Sequence, residues 1–193
     1  MPESLRLFFA VPLDDSVRSA VAKVRDDLRR VPGPVKWVED ANLHFTLKFL
    51  GETPVGLIPK LRAVAEAVGQ RHAVIDLSLR GIGAFPNARA PRVVWVGLAE
   101  GAEPLSALAD DLDNALAEAS LAPRETRPFA AHVTFGRVRE PVRRDELTAE
   151  IELAGALDFG QMRCDHFVLM RSELSRRGPT YTELERFNLR EDA

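Results

Sequence analysis

An α+β fold built from one unit used twice is the architecture that three observations in this 193-residue chain predict. Apolar segments with a period of two alternate with segments whose apolar residues recur every three to four positions, from one end to the other. The order strand, helix, strand occurs twice at nearly constant spacing. Arg6–Leu13 echoes Arg92–Leu98 at an offset of 86, Asp-Asp-Leu recurs at 26–28 and 110–112 at an offset of 84, and His44 and His132 differ by 88. The third observation is a pair of strings, His44-Phe45-Thr46-Leu47 and His132-Val133-Thr134-Phe135, which hold two of the four histidines. On a strand, His and Thr at i and i+2 emerge on one face, so Phe45, Leu47 and Phe49, and likewise Val133 and Phe135, point the other way into a core. A duplicated unit sets the two strands across a pseudo-dyad, with a histidine entering the cleft from each side. The expected organisation is one domain of two lobes, roughly 1–88 and 89–193.

The elements follow in order. Leu5–Leu13 reads as a buried strand closed by Pro12. Asp14, Asp15 and Ser16 offer caps for a helix to about Arg30, with Val17, Val21, Val24 and Leu28 at helical spacing. Val31-Pro-Gly-Pro34 breaks it, Val35–Val38 forms a short strand carrying Trp37, and Asn42–Gly51 is the first His-x-Thr strand. Thr53-Pro54 opens a helix through about Gln70 on Leu57, Leu61, Val64 and Val68, and Ala73–Phe85 alternates as a strand around Ile75, Leu77 and Leu79. After a polar loop over Pro86–Pro91 come a strand over Arg92–Leu98 and a helix over Glu103–Ser120. Pro128 leads into the second His-x-Thr strand, Phe129–Val138. A short charged helix near Arg143–Glu150 and strands near Cys164–Met170 and Tyr181–Leu189 complete the chain.

Bulk properties narrow the function classes. With 46% hydrophobic and 28% charged residues, the composition is that of a folded globular protein, not of a disordered one. No run of about 18 apolar residues is present to span a membrane, and Met1-Pro2-Glu3-Ser4 has no export-signal pattern, so a cytoplasmic location is expected. The single cysteine, Cys164, excludes an internal disulfide and a cysteine-rich metal site. The net charge of −3 is wrong for a protein that coats long nucleic acid through its phosphates. A local pocket for an end or a short oligomer fits better.

The paired strings carry the chemistry. An imidazole with an unperturbed pKa of about 6.5 lets one ring be neutral and another charged near neutrality, as acid/base cleavage of a phosphodiester requires. Thr46 and Thr134 supply hydroxyl donors for non-bridging phosphate oxygens. Arg137 offers a bidentate phosphate clamp; strict alternation turns it away from His132, and Gly136 is the residue able to bend or bulge the strand and redirect it. Lys48 is in phase with His44 but reads as a solvated strand end. No Gly-x-x-x-x-Gly-Lys-Ser/Thr loop and no His-Glu-x-x-His or His-x-His pattern occurs, which argues against ATP-driven chemistry and a bound metal. The expectation is therefore no cofactor and no metal.

The strings and their framing resemble the two-histidine phosphoesterase superfamily, and within it the RNA 2′,3′-cyclic phosphodiesterases, also called 2′-5′ RNA ligases (the LigT/ThpR family). The resemblance rests on Arg6-Leu-Phe-Phe-Ala10, Asn42-Leu-His-Phe-Thr-Leu47, Phe49-Leu-Gly-Glu52, Arg92-Val-Val-Trp95, Arg127-Pro-Phe129 with His132-Val-Thr134, and Arg171-Ser-Glu-Leu174 with Gly178 and Tyr181. It covers essentially the whole chain. It departs from the pattern at Ala131, where family members often carry proline before the second histidine. It implies a bilobed α+β fold with a central cleft between two antiparallel sheets. It also implies metal-independent opening of an RNA 2′,3′-cyclic phosphate to a 2′-phosphate, with His132 as proton acceptor, His44 as proton donor and Arg137 at the phosphate. Reversible, ATP-independent 2′-5′ ligation of RNA ends is implied alongside.

Phe9 and Trp37 are candidate stacking faces for a base, and Arg171, with Arg176 and Arg177, is a candidate guide for the RNA end. His72 and the run Cys164-Asp165-His166 are assigned no chemistry. The expected partners are RNA ends or short oligonucleotides with a 2′,3′-cyclic phosphate, no membrane, and a monomeric protein. Two alternatives stand beside this reading: a phosphodiesterase for small cyclic phosphates or cyclic nucleotides, and a non-catalytic module that binds RNA ends.

Overall fold

A computed structural model of the chain describes residues 3–30, 35–139, 145–176 and 178–191. The break expected at 31–34, the start of the charged helix at 143–144 and Arg177 lie outside the described residues. The strands are β1 (Ser4–Pro12), β2 (Val35–Trp37), β3 (His44–Pro54), β4 (Ile75–Phe85), β5 (Val93–Glu100), β6 (Val133–Val138), β7 (Asp158–Cys164), β8 (His166–Ser175) and β9 (Gly178–Asn188). The helices are α1 (Asp15–Leu28), α2 (Ile58–Gly69), α3 (Ala102–Glu118) and α4 (Asp145–Leu153). The α+β class holds: an antiparallel sheet with peripheral helices.

Four elements differ from the expected ones. β3 runs on through Thr53 and Pro54, and α2 starts only after a 3-10 turn over Val55–Leu57. The second His-x-Thr strand begins at Val133, leaving Phe129–His132 as an extended lead-in. The segment expected as one strand near Cys164 is the corner between β7 and β8 at Asp165. Where two sheets were expected, the described strands join in one, in the order β7-β4-β5-β6-β3-β1-β8-β9, with β2 on β6. The joint is narrow. β3 meets β6 at the pair Phe45–Val133, and further along the same edge of β6 its place is taken by β2. The two arms therefore separate on either side of that pair. One arm takes its strands from the middle of the chain, with β4 pairing β5 and β7, while the other brings the two ends together, with β8 and β9 extending from β1.

Asp14 caps α1, its carboxylate accepting from Val17 N at 2.8 Å, and α1 buries Val17, Val21 and Leu28 as the spacing requires. Apolar residues of all four helices join Leu7, Phe9, Val11, Phe45, Leu47, Val133 and Phe135 in one core. A second cluster of Phe8, Ala10 and Val168, with Met170 and Tyr181 against it, lies apart from this core. The phase of β1 follows: Leu7, Phe9 and Val11 face the helices, and Phe8 and Ala10 face the other way. Phe9, proposed from sequence as a base contact, is completely buried against Phe167 and Phe187. That expectation is corrected: no ligand reaches Phe9.

Candidate active site

The pairing of Phe45 with Val133 sets the site. Both side chains are fully buried in the helix-side core. Their neighbours at 44, 46, 132 and 134 therefore turn to the opposite face. Antiparallel register about this single pair sets Thr46 on the side of His132 and His44 on the side of Thr134. All four line one cavity of about 440 Å³, together with Trp37, Arg137 and Tyr181.

Both imidazoles are oriented by the same device. His44 Nδ1 lies 2.8 Å from the Asn42 carbonyl and His132 Nδ1 lies 2.7 Å from the Ala130 carbonyl, in each case two residues earlier. A carbonyl only accepts, so each Nδ1 carries the hydrogen and donates it, and Nε2 is the nitrogen left for a ligand. His44 Nε2 is 3.0 Å from Thr46 Oγ1; in the neutral ring the hydroxyl donates to it. The ring of Phe8 lies 5.0 Å from His44, Tyr181 meets it edge-on at 5.4 Å, and Phe85 stands perpendicular to His132 at 5.1 Å. Asn42 also ties the site to the β8–β9 hairpin, donating from Nδ2 to the Pro179 carbonyl at 2.9 Å.

Burial pushes the His44 imidazole down to about 4 from its ordinary 6.5; the Asn42 carbonyl opposes this, while the charges of His132 and Arg137 add to it. In the free protein His44 is therefore neutral at pH 7. Burial also pushes the Tyr181 phenol up, so it stays protonated. A stability consequence follows from the sign of the His44 shift. Between pH 6.5 and 4 the unfolded chain takes up this proton and the folded chain does not, so stability present above pH 6.5 is lost on acidification. The loss reaches on the order of 2 kcal/mol by pH 4.5. Denaturant unfolding at pH 7.5 and 4.5 is expected to show a larger acid loss in the natural protein than in His44→Gln. Equal losses contradict the assignment.

Two bulges decide which later residues reach the cavity. β5 pairs Val94 with Gly136 and Trp95 with Thr134, skipping Phe135. Alternation slips by one, so Gly136 turns inward under Trp37, where a Cβ would sit 3.0 Å from the ring, and Arg137 turns into the cavity. Arg137 has no carboxylate partner among the described residues. β1 pairs Phe9 with Lys48 and Ala10 with Thr46, skipping Leu47. The same slip sends Lys48 inward and Phe49 out. Lys48, expected at a solvated strand end, is instead buried, ion-paired with Asp113 of α3 and donating to the Pro123 carbonyl at 2.7 Å. Phe49, expected in the core, is 59% exposed and lines the cavity.

The structure thus gathers His44, Thr46, His132, Thr134, Arg137 and Trp37, and leaves Phe9 and Arg171 elsewhere. Arg171 sits on β8, paired with Glu173 at 2.9 Å, and does not line the cavity. Phe8, Phe49, Phe85 and Tyr181 border the two histidines or the cavity, and no pattern in the sequence marks Phe8, Phe85 or Tyr181 as site residues. A signal for Phe49 was present: it follows Thr46 by three positions, as Arg137 follows Thr134. The histidines outside the strings have local partners, His72 with Asp111 at 2.9 Å and His166 with Asp165 at 2.5 Å. The Cys164 thiol is buried and pushed up to about 12. Among the described residues no group of three or more His, Cys, Asp or Glu is placed to hold a metal ion, and no helix is long and apolar enough to cross a membrane.

Comparison with known proteins places the chain in a family. Residues 12–176 match the family model of the 2′-5′ RNA ligase superfamily. The chain is 38% identical to the RNA 2′,3′-cyclic phosphodiesterase of Methanothermobacter thermautotrophicus over 185 residues, 96% of this chain and 99% of that one. The crystal structure of the Thermus thermophilus protein TT0787 superposes with a TM-score of 0.81 at 34% identity, covering 98% of this chain and all (100%) of that one. That of E. coli LigT complexed with 3′-AMP superposes with a TM-score of 0.77 at 29% identity, covering 97% and 99%. Motif, register and overall likeness agree, and the chain belongs to the 2′-5′ RNA ligase superfamily.

Proposed function

We propose that this protein is an RNA 2′,3′-cyclic phosphodiesterase that opens the cyclic phosphate to a 2′-phosphomonoester by two-histidine acid/base catalysis. The observation that carries the reading is the convergence of His44, Thr46, His132, Thr134 and Arg137 on one cavity. The names of its relatives point the same way. His132 Nε2 takes a proton from water as the water oxygen attacks phosphorus. The bond from phosphorus to O3′ breaks, and His44 Nε2–H protonates the departing O3′. Thr46 and Thr134 donate to the non-bridging oxygens and the Arg137 guanidinium holds the same group, all aimed where charge accumulates.

The depressed pKa of His44 bears on its role as acid. Its proton returns with the substrate, because a phosphate anion beside the ring favours the charged form that burial disfavours. The cavity is thus loaded with its acid by the ligand itself. Trp37 and Tyr181 offer aromatic faces for the base. The cocrystal of E. coli LigT with 3′-AMP supports a nucleotide as the occupant. The groups invoked make a site complete within one chain, so the proposed chemistry needs no second copy.

The two sequence halves, 1–88 and 89–193, read as one duplicated unit. In each, the His-x-Thr strand lies beside the unit's first strand (β3 by β1, β6 by β5) and bulges immediately after its threonine. Each half also delivers a later strand, β4 or β8, to the arm of the other.

The test is incubation with a short RNA ending in a 2′,3′-cyclic phosphate, in buffer with excess chelator. The expected product keeps its phosphate on the 2′ oxygen, and the rate is unaffected by chelator. A 3′-phosphate product, or activity that appears only with added divalent metal, contradicts the mechanism.

A further inference from the structure

A second, larger cavity of about 810 Å³ opens on the other side of the phosphate-binding groups. It shares Thr46, Phe49, His132, Thr134 and Arg137 with the first. His44 lines only the first, whereas Phe85, against which His132 packs, lines only the second. In an in-line displacement the entering and departing oxygens lie on opposite sides of phosphorus. With O3′ leaving toward His44, the entering oxygen comes from the side of His132, out of the second cavity. A water molecule's share of liquid volume is about 30 Å³, whereas cavities of about 300–1,000 Å³ suit whole organic ligands. Hydrolysis alone does not call for so large a vestibule.

Its wall is the segment from Arg124 to Ala130, which is anchored from behind. Lys48 donates to the Pro123 carbonyl, and Asp113, paired with Lys48, accepts from Glu125 N at 3.0 Å. The charged groups facing the space are Arg124, Arg127 and Arg137 against Asp110 and Glu125; Asp113 is matched by Lys48, and Glu125 lies 3.6 Å from Arg127, an exposed pair that a phosphate can exchange. Phe85 and Phe129 add apolar faces.

We propose that this second cavity binds the 5′-terminal nucleoside of an RNA strand bearing a free 5′-hydroxyl. Arg124 and Arg127 take its 3′-linked phosphate, so this cavity decides between joining and hydrolysis. The inference rests on the hydrolase reading above. In the step, the 5′ oxygen bonds to phosphorus as the bond to O3′ breaks. The 5′-hydroxyl proton goes to His132 Nε2, and the His44 Nε2 proton goes to O3′. One phosphate ester replaces another, so no nucleoside triphosphate is consumed, and solvent resets both rings.

The experiment gives the full-length protein an RNA ending in 2′,3′-cyclic phosphate together with a 5′-hydroxyl RNA oligomer below saturation. It measures 2′-5′-joined against hydrolysed product, for the natural protein and for Arg124→Ala/Arg127→Ala. Both arginines are exposed, so the variant is expected to fold. The joined-to-hydrolysed ratio is expected to fall about tenfold or more, the value of losing charge-assisted contacts to phosphate. An unchanged ratio overturns the proposal, as does hydrolysis by the natural protein with no joined product at any acceptor concentration. Absence of both products removes the hydrolase reading, and this inference with it.

Discussion

His132→Ala and His44→Ala each lower turnover of a 2′,3′-cyclic phosphate end by roughly 10²–10⁴, the range associated with a positioned general acid or base. The double variant is expected to be little worse than either single one, because the two rings serve one displacement and act as a unit. Binding survives in the single variants, since Thr46, Thr134 and Arg137 still face the phosphate. The loss should therefore appear in kcat and leave KM for the RNA end nearly alone. Single-turnover rates on a labelled RNA end measure it. Retention of most activity in either variant, or a loss confined to KM, contradicts the assignment. Both rings sit on the face of the sheet opposite the helix-side core, so these substitutions leave that core intact.

Lys48→Ala is expected to cost about 3–5 kcal/mol of unfolding free energy, the range for removing one partner of a buried ion pair. The side chains of Lys48 and Asp113 are only 8% and 13% exposed, so the substitution strands the Asp113 carboxylate in a place water barely reaches. It also removes the donor to the Pro123 carbonyl. Lys48→Met with Asp113→Leu replaces the pair with apolar bulk and is expected to recover most of the loss. Denaturant titration of the three proteins checks this. A Lys48→Ala cost below about 1 kcal/mol, as for a surface pair, contradicts it.

The sequence carried the site further than it carried the connectivity. The phase of His44, Thr46, His132 and Thr134 was legible because polar residues alternate with Phe45, Leu47, Val133 and Phe135, and only one face of such a strand can be dry. Beyond each threonine the two strands differ in how plainly they mark their bulge. At Gly136 a bulge was in view, and Arg137 reached the cavity through it. At Leu47 no glycine marks the slip, so Lys48 and Phe49 were assigned to each other's sides. Phe9 was mistaken for a cleft residue because Leu7–Val11 is apolar at every position and buried on both faces, leaving nothing to set its phase. β7 was missed since the corner at Asp165 interrupts what reads as one run. The pairing of β4 with β5 and of β8 with β1 is a long-range matter, decided by which edges are free once the first strands have paired.

The Phe45–Val133 contact has a consequence for tolerance to change. His44 and His132, the proposed acid and base, each adjoin this directly paired position, so their spacing is set by peptide geometry and not by how two lobes happen to dock. Drift in the outer strands or in the helices behind them alters what surrounds the reacting groups while leaving their separation alone. Selection is therefore free to reshape the vestibules, and with them the choice of RNA, at little cost to the chemistry.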